Sequence, residues 1–189
     1  MLGNLASVDH VLTTERLALR PVTADDHAVL LAHWTQPDVR RFLFDGAAPS
    51  AAEVAETIEE SVRDFASSGY GIWLIQEPGE TGPGGPVPAG PGLIGPGLVG
   101  TAGLRPLEQL GLEIFYSLAP ASWGRGYATE AARAVVAHAL GPLRLPEVLA
   151  EVDEGNTASV AVVKRLGMTP FAVVPGVLGR MTRYRTTAA

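Results

Sequence analysis

The sequence predicts an α/β domain built on a mixed sheet, and three observations carry that prediction. Short runs with apolar residues at every second position interleave with longer runs at helical spacing. Their order is strand, two helices, three strands, helix, strand, helix, two strands, so neighbouring strands can hairpin while any parallel crossover is expected to be right-handed. The chain has 189 residues, 47% of them hydrophobic, which suits one domain rather than two. A chain of that length buries roughly two-thirds of the surface it exposes when unfolded, so its core needs no disulfide or zinc.

Each element has its own signal. The first ten residues carry little pattern and are expected to form a flexible N-terminus, leaving a domain at 11–189. Arg16 to Arg20 alternates as a half-buried strand, with Leu17 and Leu19 on one face and Pro21 as its end. Thr23 with Asp26 resembles a helix cap, after which Val29, Leu30 and Trp34 recur at helical spacing; Pro37 interrupts and opens a short helical turn, PDVRRFL. Ser50 with Glu53 makes a capping box. Val54, Ile58, Val62 and Phe65 are the expected buried stripe of that second helix, and Gly69 stops it.

Tyr70 to Gln76 and Leu98 to Arg105 read as paired strands, rich in aromatic and β-branched residues. The tract between them, 78–97, is mostly Gly and Pro and is expected to be a mobile loop insertion. Leu112 to Leu118 alternates as the next strand. An alanine-rich helix follows, then a strand at Glu147 to Val152, a helix opening at Asn156 and stopping at Gly167, and strands at Thr169 to Val174 and Arg180 to Thr186.

Composition narrows the function. Without cysteine there is no iron–sulfur cluster, Cys-ligated zinc or thiol nucleophile. Acids outnumber bases 20 to 14, net −6, so neither a nucleic-acid footprint nor a basic membrane surface is expected. No apolar run approaches a bilayer span and no signal-peptide pattern opens the chain, which reads as cytoplasmic. The four histidines, His10, His27, His33 and His138, lack metal-ligand spacing, and no metal is assigned.

Two G-x-G-x-x-G matches, Gly90/Gly92/Gly95 and Gly95/Gly97/Gly100, fall in the Gly/Pro tract with no helix to follow, and read as coincidence. A different glycine cluster, Trp123, Gly124, Arg125, Gly126, Tyr127, Ala128 and Thr129, lies between a strand and a helix. There the peptide N–H groups can converge at the positive end of the helix dipole, a place for a pyrophosphate. The same spacing also suits a tight structural turn.

The runs LEIFYSLAPASWGRGYATEA and EVLAEVDEGNTASVAVVKRLGM, with TERLALRPVTADD and YGIWLIQ/LVGTAGL, resemble the GNAT superfamily of acetyl-CoA-dependent N-acetyltransferases. Within it they are most like the branch of ribosomal-protein N-terminal (alanine/serine) acetyltransferases. The resemblance implies a single-domain α/β fold with a mixed, mostly antiparallel central sheet flanked by helices. It also implies acetyl-CoA as co-substrate, an amine acceptor and a monomer or homodimer. Pantetheine would lie along the strand near Tyr116, Ser117 and Leu118, and the pyrophosphate on 124 to 129. Trp123 stands where the family pattern has Arg or Gln. Asn156 would face the pantetheine arm, and Ser159 would approach the thioester sulfur.

Transfer to an amine needs a proton acceptor, because a protonated amine cannot attack. Glu113, on the strand that would hold the thioester, is the first candidate; an acceptor-binding or surface carboxylate is its other reading, and Glu151 is the second candidate. Tyr116 can replace the Tyr that many family members carry where this chain has Val163. By the same resemblance Trp34, Arg40, Arg41, Phe42 and the Pro175 to Gly179 loop fall on the acceptor side, with a core Trp and solvated arginines as the other reading. A non-catalytic acyl-CoA-binding module is the alternative function.

Overall fold

The computed structural model describes residues 10–78 and 98–188, so the expectations for the first nine residues and for 79–97 lie outside the described residues. The strands are β1 (Leu12–Thr13), β2 (Ala18–Pro21), β3 (Ile72–Gln76), β4 (Leu98–Leu107), β5 (Gly111–Leu118), β6 (Glu147–Asp153), β7 (Thr169–Gly176) and β8 (Gly179–Thr187). The helices are α1 (His27–Trp34), α2 (Pro37–Leu43), α3 (Ala51–Ser68), α4 (Tyr127–Leu140) and α5 (Thr157–Arg165). One sheet runs β1-β2-β3-β4-β5-β6-β8-β7, antiparallel except between β5 and β6. Among the described residues no helix is long and apolar enough to cross a membrane.

Helices cover both faces of this sheet. Trp73 and Ile75 of β3 point into a core shared with α4 and α5, whereas Ile72 and Leu74 point into a second core shared with α1 and α3. A strand buried on both faces reads as a continuous apolar run, which is why IWLI does not alternate. The sequence expectations for the elements hold closely, including the Ser50–Glu53 capping box and the left-handed Gly69 that ends α3.

One stripe position differs. Val62 is exposed, while Ser61 is buried and its Oγ accepts the Ile72 N–H at 2.8 Å. At about 100° per residue Ser61 falls in line with Val54, Ile58 and Phe65, and Val62 lies about 80° round the helix from Val54.

The feature that positions the site is the joint between β5 and β6. Their register is confined to Glu113 opposite Leu149, whereas β6 stays paired to β8 along its whole length, from Glu147 opposite Thr187 to Asp153 opposite Met181. Beyond the joint β6 follows β8, and the sheet opens between Tyr116–Leu118 and Ala150–Asp153.

Candidate active site

A cleft of about 1030 Å³ fills that opening. Every catalytic and cofactor-binding residue expected from the sequence lines it: Glu113, Tyr116, Ser117 and Leu118 on β5, the run Trp123 to Thr129, and Asn156 and Ser159 at the head of α5. Ala119 N–H donates to Val99 O across the β4–β5 ladder. Strand alternation therefore turns the main-chain groups of Tyr116 and Leu118 the other way, into the cleft.

At the α4 end the cleft wall is made of peptide groups. Gly124 (φ +74°) and Gly126 (φ +81°) are left-handed, and no atom lies within 4 Å of where a Gly124 Cβ would stand. The six N–H groups from 124 to 129 have no acceptor among the described residues; the first main-chain bond of the helix is Glu130 N–H to Gly126 O. Four of the six, those of 126 to 129, are the donors that any helix start leaves free, and all six sit at the positive end of the α4 dipole. An anion bound there would meet main-chain donors without displacing a protein partner.

The side chains around this cradle hold it rather than fill it. Trp123 Nε1–H donates to Leu118 O at 2.9 Å, which ties the turn to the end of β5. Arg125 pairs with Glu77 at 2.8 Å and stacks on the Tyr127 ring, whose hydroxyl also donates to Glu77. Arg16 Nε–H donates to Glu130 at 2.8 Å and an Arg16 terminal N–H to Arg125 O at 3.0 Å, pinning the turn from the opposite side.

Across the cleft, Asn156 Oδ1 accepts the Ser159 N–H at 3.1 Å, so this residue caps α5 while lining the cleft. Tyr116 OH lies 3.5 Å from Ser159 O, and burial pushes its pKa up to about 12, keeping it protonated at neutral pH. Val163 is fully buried in the core, so the position lacking the family Tyr is not on the cleft wall. Behind β5, Ser117 Oγ lies 2.9 Å from His33 Nε2 and 2.9 Å from Thr101 Oγ1, which accepts from Trp34 Nε1–H at 3.3 Å. Burial drives His33 down to about 4, so it is neutral. Trp34 is thus a core residue.

Glu113 is buried at the strand joint. Its Oε1 accepts from Arg105 Nε–H at 2.7 Å, and its Oε2 accepts the Glu151 N–H at 3.3 Å. That N–H points toward β5 where the ladder has already stopped, so the carboxylate replaces a missing strand partner. Glu151 is also committed, with Oε1 2.5 Å from Arg183 Nε.

A second cavity of about 470 Å³ adjoins the cleft and shares Phe42, Leu43, Arg105, Glu151 and Asp153 with it. Asp153 is 8% exposed and its Oδ1 has no hydrogen-bond partner. Burial first, then the nearby Asp45 and Glu151 carboxylates, hold its carboxyl above the usual carboxylate range. Of the residues expected on the acceptor side, Phe42 lines both cavities, Arg41 lines the cleft, and Arg40 is spent on Gly46 O.

Comparison with known proteins fits this geometry. Residues 16–169 match the family profile described as an acetyltransferase (GNAT) domain. The chain belongs to the GNAT acetyltransferase family. It is 26% identical over 161 residues to the N-acetyltransferase p20 of Bacillus licheniformis, itself uncharacterized, covering 82% of this chain and 80% of that protein. The crystal structure of an acetyltransferase from Agrobacterium tumefaciens superposes with a TM-score of 0.74 at 24% identity, covering all of both chains. RimL, a ribosomal L7/L12 alpha-N-protein acetyltransferase solved with coenzyme A, superposes at 0.72 and 15% identity, covering 94% and 97% of the two chains. The enzyme is an acetyltransferase, and its family implies acetyl transfer from acetyl-CoA to an amine.

Two features of this acetyltransferase escaped the sequence reading. Asp153 lies one position past the strand expected at Glu147 to Val152 and belonged to no motif. His33 showed only helical spacing, which does not reveal that its ring reaches Ser117. For Asp153 a signal was present: it is two residues after Glu151, so strand alternation puts both carboxylates on one face.

Proposed function

We propose that the enzyme transfers acetyl directly from acetyl-CoA to an amine, with both substrates held together in the opened β5–β6 joint and no acyl-enzyme. The observation that carries this reading is the continuity of one cleft, from six N–H groups at the head of α4 to the buried carboxylate of Asp153, the six and the Asp153 Oδ1 having no partner among the described residues. The donor set suits a pyrophosphate, and Gly124 leaves the close approach open. Residues 124 to 129 would hold the pyrophosphate, and the inward main-chain edges of Tyr116 and Leu118, with Asn156, would hold the pantetheine arm. Acetyl-CoA supplies the acetyl group as a thioester.

The chain's own groups then have these tasks. Asp153, with its affinity for a proton raised, takes the proton from the acceptor ammonium and so frees the neutral amine that attacks. Glu113, expected from sequence as first proton acceptor, is assigned instead to holding the strand joint, because both its oxygens are engaged. The Leu118 N–H faces the oxygen on which charge develops. Ser159 and Tyr116 donate hydrogen bonds toward the sulfur as the C–S bond breaks. A thiolate with pKa about 8.5 leaves readily, so hydrogen bonding suffices and the high pKa of Tyr116 is no obstacle. The second proton, lost from nitrogen after the C–N bond has formed, ends on the thiol, and the one held by Asp153 returns to solvent.

The test is release of free thiol from acetyl-CoA upon addition of an amine. Wild type releases it in proportion to amine, and Asp153→Asn slows release while binding CoA normally; equal rates in the two would remove Asp153 from the mechanism.

A further inference from the structure

The charge balance of the second cavity is one-sided. Its floor carries Arg105, Glu151 and Asp153, and its walls are Phe42 and Asp45 from the α2 side and Met181 from β8. Arg105 is matched by Glu113, and Arg183, opposite Glu151 on β8, is matched by Glu151 and Glu108. Asp45 and Asp153 are left over. Asp45 has no ion pair among the described residues, and Asp153 combines nine-tenths burial with an oxygen that no protein donor reaches. A buried carboxylate oxygen without a donor is costly unless something outside the chain satisfies it. In a cavity whose guanidinium groups are already paired, a cationic donor from outside the chain would both satisfy it and balance the two surplus carboxylates.

We propose that this cavity selects a small acceptor carrying two amino groups, with Asp153 at the amine that is acetylated and Asp45 holding the second ammonium. The assignment rests on the acyl-transfer reading above. Phe42 and Met181 give the methylene chain between the two nitrogens apolar walls, and Asp45 stands on the solvent side, where the distal ammonium keeps part of its hydration. The acceptor class is therefore a diamine or polyamine. A monoamine of the same length leaves Asp45 without its partner, and a peptide N-terminus followed by uncharged side chains does the same.

The test compares 1,5-diaminopentane with n-pentylamine by calorimetric titration into the full-length protein saturated with CoA, at constant ionic strength and pH. The diamine is expected to bind about tenfold or more tightly than the monoamine. Asp45→Asn should bring the ratio close to one, and Asp45→Glu should restore part of it. Melting temperature and CoA affinity of each variant report whether the fold and the cradle are intact. Equal binding of the two amines, no binding of either, or an unchanged ratio in Asp45→Asn would overturn the proposal. Thiol release is measured in parallel to separate the two readings. Release without diamine preference sinks the diamine site and leaves acyl transfer standing; diamine preference without release from any amine does the reverse.

Discussion

At one end of the cleft six consecutive main-chain N–H groups and two left-handed glycines lie within residues 124 to 129; at the other, Asp45, Asp153 and Met181 come together from α2's end, β6 and β8. The first end is contiguous in sequence and built from backbone, so its chemistry survives changes of side chain. Trp123 illustrates this, because it replaces a family Arg or Gln and binds Leu118 O without closing the cradle. The second end is side-chain chemistry assembled by the fold, so single substitutions there should change what is acetylated rather than whether CoA binds.

The sharpest way to break that contrast is at the cradle. Gly124→Asp brings a carboxylate to the cradle at a position whose Cβ would meet no atom within 4 Å, and should weaken CoA binding by on the order of 100-fold by calorimetry, with the fold retained. Gly124→Ala, which carries the same left-handed strain without charge, should lose far less. At the other end, Asp153→Asn should lower kcat by on the order of 100-fold or more, with CoA affinity unchanged. Asp153 must be ionised to accept a proton, so wild-type kcat should fall as pH drops through its raised carboxyl pKa, with Asp45 and Glu151 as the carboxylates that face it. That acid limb should be missing from the residual activity of Asp153→Asn.

Smaller effects separate structure from chemistry. His33 is neutral in the fold at about 4, while an unfolded histidine takes a proton near 6.5. Its contribution is therefore intact above pH 6.5 and lost as pH falls toward 4, by on the order of 3 kcal/mol. Denaturant unfolding of wild type and His33→Gln at pH 7 and pH 4.5 should show the wild type losing more stability on acidification. Glu113→Gln keeps an acceptor for the Glu151 N–H but loses charge opposite a half-exposed Arg105, so it should cost about 1 kcal/mol of stability and less than about tenfold in kcat. A collapse of kcat in Glu113→Gln would return the proton-accepting role to it.

The same contrast explains what the sequence made legible. Caps, periodicity and the Gly124–Thr129 run are local signals, and the helices, the succession of elements along the chain and the glycine turn before α4 follow from them. Glu113 was legible as a carboxylate in the right place but not as a strand clasp, because its partners, Arg105 and the Glu151 N–H, are set by register across two neighbouring strands. The β1 strand, two residues long, was too short to show periodicity. His33 and Ser117 lie 84 positions apart and meet only because α1 packs on the β4–β5 face. Asp153 was hidden for the same reason: its burial and its orphaned oxygen arise from the opening of the β5–β6 joint.

The most direct test of the account is an initial-rate study of thiol release in which acetyl-CoA and an amine acceptor, drawn from diamines, monoamines, amino acids and N-terminal peptides, are both varied. Direct transfer in one cleft predicts release with at least one acceptor and reciprocal plots that intersect. Parallel plots would instead place the acetyl group on the protein between two half-reactions, with Ser117 beside His33 as the first place to look, and would contradict direct attack.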